Sequence, residues 1–342
     1  MKPTLSIVIA AYNAENSISR CLDSLGGEYE GALEVVVIDD GSTDSTRDIV
    51  SSYAQSDQSI TLISQENRGT DYGRARGIAS SHGEFVLCVD ADDFLLSGAI
   101  AILLRCIQDY PHVDMIWFQY CTDASRSKGA DKGISRLPKL GIFEGADLIH
   151  IHQSIFQGLS NTLWNKVFRR EMFADDERVS RARYYGEDFS RVLSALSEVA
   201  SCLVINDVLY CYVDTAGSIS KQFKLTYRDD IKSVSQQLLE VARKDGNEGI
   251  CAAGTGILAQ YYNLFVLSIN AGDSGTFAEV AVDLQQILAT ADLPKGFTPS
   301  NKKLRLIYSL VMIENLSGLR ICVMLIERIK NTVSHIEEVV NA

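Results

Sequence analysis

Three carboxylates stand together directly after an apolar stretch of the sequence. Asp90, Asp92 and Asp93 follow residues 85–89 ("FVLCV"), and another apolar stretch comes next. Aspartate is common in turns, so a solvated turn at the end of a buried strand would account for these residues. Carboxylate oxygens are also the hard ligands that Mg²⁺ and Mn²⁺ prefer, which makes a cation site the chemical alternative.

A second acidic pair, Asp39 and Asp40, follows the apolar residues 35–38. Ser42 and Thr43 come soon after and could cap a helix, so "DDGSTD" could also be an ordinary capped turn. In an open α/β sheet, ligands bind outside the carboxyl ends of the strands. Carboxylates gathered there repel one another unless they share a cation. Together, the two acidic tips favour a magnesium or manganese site that holds a phosphate-bearing ligand.

The elements that must position these side chains alternate regularly over the first 120 residues. Five apolar runs have the length of strands: residues 4–10, 34–39, 60–64, 84–90 and 113–120. Amphipathic helical patterns lie between them, which predicts a mainly parallel sheet with helices on both faces. Beyond residue 225 the pattern is helical to the end. We therefore expect an α/β domain over residues 1–220 and a helical C-terminal domain over residues 221–342.

The composition limits the classes of partner. The chain carries a formal net charge of −12, whereas nucleic-acid binding normally needs a basic face. The eight cysteines form no C-x-x-C pair, and their apolar neighbours are typical of buried thiols in a reducing compartment. No apolar run reaches the 18 residues that suggest a membrane span. We expect a cytoplasmic protein that does not bind nucleic acid.

Six segments of the sequence form a recognisable series. They are "LSIVIAAYNAE", "VVVIDDGSTDST", "ENRGTDYGRARGIASSHGEFVLCVDADD", "LWNKVFRREMF", "YYGED" and "LYCYVDTAGSIS", within about residues 4–220. In order and spacing this series resembles the inverting nucleotide-sugar glycosyltransferases with the GT-A fold, in the branch that builds bacterial capsule, teichoic acid and lipopolysaccharide chains. The resemblance implies transfer of a sugar from a UDP-sugar donor to a hydroxyl of a saccharide or lipid-linked saccharide acceptor.

The resemblance also implies which residues bind the donor. Tyr12 would lie against the pyrimidine ring, and Asp40 would accept the uracil N3 proton, with Asp39 supporting the loop. Arg74 would approach the nucleotide or the diphosphate, and Asp90 the ribose or the sugar. The full implied donor-binding set is Ala10, Tyr12, Asp39, Asp40, Asn67, Arg74, Asp90, Ala91 and Asp92.

The metal and acceptor sides are implied in the same way. Asp92 and Asp93 match the end of a D-x-D signature and would bind Mn²⁺ or Mg²⁺, with Asp188 as the general base and with Trp164 and Glu187 on the acceptor side. The chemistry suits these residue types, because a cation neutralises a leaving diphosphate and a carboxylate takes the acceptor proton. One base that assists attack opposite the leaving group is sufficient for inversion, whereas a retaining scheme through a covalent intermediate would need a nucleophile.

Several of these residues have structural alternatives. Asp188 could favour the first turn of the following helix, and Trp164 could belong to the core. Asn165 and Lys166 could fix a local turn or contact a ligand. The whole site could also belong to a non-catalytic binding or scaffold protein that binds UDP without consuming a donor. A nucleotidyltransferase would need a glycine-rich, lysine-bearing phosphate loop near the first strand, and "AAYNAENS" offers none.

The C-terminal helices combine basic residues with a wide apolar pattern. The basic residues are Lys302, Lys303, Arg305, Arg320, Arg328 and Lys330. This composition is compatible with peripheral contact with an anionic membrane surface. An apolar stripe at helical spacing also forms a domain core or the interface of a homo-oligomer, and the sequence leaves these alternatives open.

Overall fold

The apolar runs at the start of the chain form four parallel strands of one sheet. They are β1 (Leu5–Ala11), β2 (Leu33–Asp39), β3 (Ile60–Ser64) and β4 (Phe85–Asp90), in the spatial order β3-β2-β1-β4. The computed structural model describes residues 2–27, 29, 31–123, 137–158, 161–173, 186–214 and 226–327. β1, β2 and β4 are buried along most of their length, as expected for parallel strands between two layers of helices.

The remaining strands make the sheet mixed. They are β5 (Phe94–Leu95), β6 (Met115–Thr122), β7 (Gly141–Glu144), β8 (Lys166–Arg169) and β9 (Ser201–Tyr212). Beyond β4 the order continues with β8, β6, β9 and β5, and β7 pairs with β9. β8 runs antiparallel to both of its neighbours, while β6 and β9 are parallel. The predicted parallel arrangement is therefore regular in the first four strands and interrupted by β8 beyond them.

Helices pack on both faces of this sheet. The helices of the unit that contains this sheet are α1 (Ile18–Asp23), α2 (Thr46–Ser56), α3 (Thr70–Ser80), α4 (Ala99–Asp109) and α6 (Glu187–Leu196). Between α4 and α6 in sequence, α5 (Ile149–Phe156) begins in this unit but belongs mainly to a second, helical unit. Successive residues of a strand point to opposite faces. Ile7 and Ile9 of β1 belong to the core cluster that contains the apolar side chains of α1 and α4. Val8 points the other way, towards α3.

The close approach of α3 to β1 depends on a glycine. A Cβ atom added at Gly77 would come within 2.3 Å of Val8, so a larger residue would push the helix away from the sheet. Gly73, one turn earlier, faces Ala10 in the same manner. This packing places the first turns of α3 directly beside the carboxyl end of β1.

The second compact unit is helical. It comprises residues 152–158 and 223–342, and the first unit comprises residues 1–151 and 159–222. Its helices are α7 (Thr226–Ala242), α8 (Gly246–Asn270), α9 (Ser274–Thr290) and α10 (Lys302–Met312), followed by helical residues 316–327. The domain boundary predicted at residue 220 lies outside the described residues, and residues 152–158 join the second unit rather than the first.

One helical stretch of this unit has the length and composition of a membrane span. Among the described residues it is Tyr227–Asn270, and 61% of its most apolar window is buried inside the structure. α8 contacts α7, α9 and α10. Burial of this extent is typical of a central core helix. A core position accounts for the high mean hydropathy of this stretch, which contains no continuous apolar run of 18 residues.

Candidate active site

Strand register determines which residues meet at the carboxyl edge of the parallel strands. Ala10 of β1 pairs with Asp90 of β4, and Ala11 pairs with Asp39 of β2. β1 lies between β2 and β4, and neighbouring strands are about 4.8 Å apart. The two acidic tips therefore lie at the same edge of the sheet, separated by one strand.

Asp40 holds the loop that follows β3. It is 2% exposed, and its carboxylate accepts hydrogen bonds from Gln65 Nε2 at 2.6 Å and from the backbone N–H groups of Arg68 at 2.9 Å and Gly69 at 2.8 Å. Asp39 is equally buried, and its carboxylate accepts a hydrogen bond from the backbone N–H of Ser42 in the same turn, at 3.1 Å. Both carboxylates therefore shape the tip of β2, and the base-pairing role of Asp40 stays a prediction.

Two of the implied donor-binding residues at this tip are open to solvent. Tyr12 is 51% exposed, and Asn67 is also exposed, whereas Ala10 is half-buried. Asn13 Oδ1 accepts the backbone N–H of Thr43 at 2.8 Å, which ties the end of β1 to the loop after β2. An exposed aromatic ring beside a rigid polar loop offers a face on which a planar ring can stack.

The three carboxylates after β4 lie close together but in different surroundings. Oxygen atoms of Asp90, Asp92 and Asp93 lie within 4.8 Å of one another. Asp93 is fully buried and accepts hydrogen bonds from Tyr210 Oη at 2.6 Å and from Val213 N at 2.7 Å. Its burial, together with the charge of Asp90, raises the pKa of Asp93 to about 8. Of the two implied metal ligands, Asp93 is fully buried and Asp92 is half-buried.

The backbone around Asp92 is also held in place. Arg20 of α1 donates from its guanidinium to the carbonyl oxygen of Asp92 at 2.7 Å, and the neighbouring Ala91 is 8% exposed. A set of carboxylate oxygens at this spacing is the kind of donor set that a hard divalent cation takes. The residues present therefore fit the implied Mn²⁺ or Mg²⁺.

Arg74 joins this acidic tip to the implied base. Its guanidinium contacts Asp90 Oδ1 at 2.6 Å and Asp188 Oδ1 at 2.5 Å, and the whole residue is 5% exposed. The other oxygen of Asp188 accepts the backbone N–H of Leu163 at 3.1 Å. Asp188 lies in the first turn of α6, after the N-cap Gly186, as the structural alternative expected, and both of its oxygens bond to groups outside that helix. The structure thus brings Asp90 and Asp188 together, although they are far apart in sequence.

Negative charge exceeds positive charge in this cluster. Burial, reinforced by the neighbouring Asp188, raises the pKa of Glu187 above its ordinary value. Burial likewise raises the pKa of Asp90, although Arg74 opposes the shift. Because one guanidinium faces several carboxyl groups, a proton or a cation at this edge of the sheet is electrostatically favoured.

The aromatic ring of Trp164 lies inside a cluster of tyrosines. It is 6% exposed and stacks on Tyr210 at a centroid distance of 4.5 Å, with Tyr120 edge-on at 4.6 Å and Tyr212 parallel at 6.0 Å. This burial favours the core alternative that the sequence left open, and the acceptor role of Trp164 stays a prediction. Tyr120 and Tyr212 are half-buried and were not singled out from the sequence.

The turn before β8 is fixed by a buried lysine. Lys166 is fully buried, and its Nζ donates to the carbonyl oxygen of Thr162 at 2.7 Å and to Asn165 Oδ1 at 2.8 Å. Burial lowers the pKa of Lys166 to about 7. Asn165 and Lys166 therefore fix the local turn, as one alternative proposed, and the same turn presents the N–H of Leu163 to Asp188.

This lysine should make the stability of the protein depend on pH. The folded protein protonates Lys166 only below about pH 7, whereas the unfolded chain keeps that proton up to its ordinary pKa of 10.5. Between these values the unfolded state binds more protons, so stability rises with pH. Between about pH 7 and about pH 10, the free energy of unfolding of the wild type should rise by on the order of 4 kcal/mol relative to that of Lys166→Met. Urea unfolding of both proteins across this pH range measures the difference. A difference that stays flat with pH would contradict this expectation.

The residues around the cluster match known proteins. Residues 6–174 match the model of Glycosyl transferase family 2. The Putative glycosyltransferase EpsH of Bacillus subtilis (strain 168) is 30% identical over 172 residues, which are 50% of this chain and 48% of that protein. The Uncharacterized glycosyltransferase EpsJ of the same strain is 25% identical over 300 residues, which cover 84% of each. The chain thus matches about half of the length of EpsH and most of that of EpsJ.

The fold also has a solved counterpart. The structure of S. aureus TarS 1-349 in complex with UDP-GlcNAc superposes with a TM-score of 0.74 at 18% sequence identity, covering 95% of this chain and 92% of that one. At this identity the likeness concerns the fold. Residues 6–174 therefore form a Glycosyl transferase family 2 domain, and the predicted GT-A fold is confirmed.

Proposed function

We propose that this protein transfers a sugar from a UDP-sugar to a hydroxyl group of a saccharide or lipid-linked saccharide, with inversion at the anomeric carbon and with a divalent cation. The observation that supports this most is the ion-paired cluster of Asp90, Arg74 and Asp188. It places a carboxylate suited to general-base catalysis beside an acidic strand tip suited to a diphosphate. This combination is what glycosyl transfer to a hydroxyl requires.

The donor end of the site is assigned to the tips of β1 and β2. Tyr12 is the exposed ring available to a uracil base, and the loops around Asp39 and Asp40 are held rigid by their own hydrogen bonds. A carboxylate oxygen has more than one acceptor position, so Asp40 can take a base N–H in addition to its present bonds. TarS, which has the same fold, was crystallised in complex with UDP-GlcNAc, which supports a UDP-sugar as donor.

The diphosphate end is assigned to the tip of β4. We assign Asp92 as the direct metal ligand, because it is half-buried, whereas Asp93 is fully buried and accepts bonds from Tyr210 and Val213. Asp93 then holds the turn that presents Asp92. Bound Mn²⁺ or Mg²⁺ would neutralise the charge that grows on the leaving diphosphate.

The base is assigned to Asp188. Arg74 and the N–H of Leu163 hold its two oxygens from different sides and fix the orientation of the carboxylate. An acceptor hydroxyl can still donate to a remaining lone pair, and the proton passes to Asp188 as the new bond forms. A single base without a covalent nucleophile gives inversion.

The donor assignment is tested by a panel of UDP-, GDP- and CDP-sugars with Mn²⁺, scored by release of the nucleoside diphosphate. We expect release from at least one UDP-sugar and none from the GDP- or CDP-sugars. The configuration of the product at the anomeric carbon, read by NMR, tests inversion. Binding of UDP without donor consumption across the panel would instead support the non-catalytic alternative.

We also propose that the end of the helical unit contacts an anionic membrane surface from the cytoplasmic side. Seven of the twelve exposed large apolar side chains in the described part of the chain lie within residues 306–325: Leu306, Met312, Ile313, Leu316, Ile321, Met324 and Leu325. Arg320 lies in the same segment, and Lys302 and Arg305 come directly before it. In a chain with a net charge of −12, a basic and apolar segment is complementary to anionic lipid.

This contact predicts lipid-dependent sedimentation. The protein should sediment with vesicles that contain anionic lipid, less so in high salt, and hardly at all with neutral vesicles. Replacing Ile313 and Ile321 by serine should weaken sedimentation, whereas Val282→Ser on α9 should not, although Val282 is also exposed. If the double variant instead changes a dimer into a monomer and leaves sedimentation unchanged, the segment is a subunit interface.

A further inference from the structure

We propose that Asp71 and Arg191 are positioning residues for the transfer reaction, because their buried ion pair locks α6 against α3 and thereby fixes Asp188. Arg191 Nε lies 2.6 Å from Asp71 Oδ1, and the two side chains are 3% and 2% exposed. Because the two side chains are engaged with each other, we assign neither of them a contact with substrate. The inference rests on the proposed function, since it assigns a purpose to the placement of the proposed base.

The two helices carry the same spacing of charges. α3 has Asp71 and Arg74, and α6 has Asp188 and Arg191, so that each pair is separated by three residues and lies on one face of its helix. The charges pair across the helices as Arg74 with Asp188 and Asp71 with Arg191. Two crossed ion pairs fix both the distance and the register of α6 along α3.

The two pairs differ in burial, which divides their roles. We call Arg74–Asp188 the outer pair and Asp71–Arg191 the inner pair. In the outer pair, the side chain of Asp188 is 19% exposed, so an acceptor can approach it. The inner pair is almost fully buried. Only the outer pair can take part in chemistry, and only the inner pair remains unperturbed when a substrate enters. The inner pair is therefore suited to hold the geometry while the outer pair reacts.

Arg191 also ties the base to the donor side of the site. Its guanidinium donates to the backbone carbonyl oxygen of Asp71 at 2.7 Å, in the first turn of α3. Two residues earlier, the N–H of Gly69 donates to Asp40 at 2.8 Å. A continuous series of polar contacts thus runs from Asp40 through the start of α3 to α6.

Apolar packing alone would not set this register. The buried face of α6 consists largely of Phe189, Val192, Leu193, Ala195 and Leu196, and contacts between such side chains are non-directional. A general base must lie within about 2.6–3.2 Å of the proton that it takes. A displacement of about 1 Å far from the chemistry can reduce the rate by about 10²-fold.

The test replaces the pair by apolar residues of similar volume, in the double variant Asp71→Leu/Arg191→Met. Such a replacement often preserves or raises stability, because no buried charge is left uncompensated. We expect a melting temperature near that of wild type, a kcat lower by about 10²-fold, and a nearly unchanged KM for the donor. Arg191→Lys keeps the positive charge but loses the planar guanidinium group, which contacts both the carboxylate and the backbone carbonyl oxygen of Asp71. The kcat of this variant should therefore fall by about tenfold.

Amide hydrogen exchange provides a readout that does not depend on activity. In the double variant, amides of α6 should exchange faster while those of β1 and β4 keep their protection. The matched control is Arg228→Met/Asp283→Leu, which removes another ion pair with one nearly buried partner, in the helical unit, and should leave kcat and the exchange of α6 unchanged.

The outcomes separate the two proposals. A wild-type protein that consumes no donor overturns the proposed function, and hydrogen exchange then still decides whether the pair fixes α6. An active wild type together with a double variant of equal kcat and equal α6 protection overturns the inference. The inference is also overturned if the double variant loses kcat only in proportion to a fall in its melting temperature, because the ion pair would then serve stability alone.

Discussion

Replacing Asp188 by asparagine should lower the rate of sugar transfer by about 10³-fold while leaving UDP binding intact. Asparagine has nearly the same shape, and its side-chain oxygen can still accept from Arg74 or from the N–H of Leu163, the present partners of Asp188. It cannot take a proton at neutral pH. Arg74 keeps Asp90 as a partner, so the fold should remain stable.

The experiment compares turnover, UDP affinity and melting temperature for Asp188→Asn and for a control, Asp109→Asn. Asp109 is an exposed carboxylate at the end of α4, and its replacement should change none of the three. Near-normal turnover of Asp188→Asn would mean that another group accepts the proton. Glu187 would then be examined first, because burial raises its pKa towards that of a neutral-pH base.

Replacing Asp92 by asparagine should reduce turnover by about 10²-fold or more and raise the Mn²⁺ concentration needed for half-maximal rate. Asp92 is a half-buried carboxylate of the acidic cluster, and the loss of one charged oxygen weakens a hard cation site. Chelation of metal from the wild type should abolish turnover, and added Mn²⁺ should restore it. The measurement is a Mn²⁺ titration of donor consumption for both proteins.

Asp93→Asn distinguishes the assignment of Asp92 as the metal ligand from the alternative in which Asp92 and Asp93 bind the metal equally. Since Asp93 accepts bonds from Tyr210 and Val213, we expect its replacement to lower the melting temperature as well as the rate. Asp92→Asn should lower the rate alone. Full activity after chelation, or a metal dependence of Asp92→Asn equal to that of wild type, would contradict the metal assignment.

The sequence predicts the first four strands well because each is a short apolar run that ends in a polar tip. β3 has the predicted bounds, β2 and β4 differ from theirs by one residue at one end, and β1 is shifted by one residue at both ends. Both faces of these strands are buried, so the apolar signal is local and continuous. The acidic tips are visible for the same reason, since they interrupt that signal.

The surroundings of the three adjacent aspartates could not be predicted, because a distant strand decides them. β5 pairs antiparallel with β9, with Leu95 opposite Tyr210. This pairing brings the hydroxyl of Tyr210 to Asp93 and not to Asp92. Nothing near residue 93 in sequence indicates which carboxylate will be covered.

The crossed ion pairs show a similar limit. The spacing of Asp71 and Arg74 and that of Asp188 and Arg191 are both visible in the sequence, but an isolated helix with such a pattern pairs its charges within itself or with water. That they pair with each other follows only once β8 and the turn before it bring α6 to α3. The spacing of the charges within each helix was visible in the sequence, but their pairing between the two helices could not be predicted from it.

The arrangement around Arg74 has an evolutionary consequence. The loops that we assign to uridine and the acidic tip lie within residues 6–174, the part that matches the family model, whereas Asp188 comes after it. One guanidinium group connects the two portions. If donor and acceptor recognition divide as we propose, exchange of the later portion in descendants changes the hydroxyl that is glycosylated, while the activated sugar stays the same. Diversification of glycan linkages from one nucleotide pocket is the outcome that this division permits.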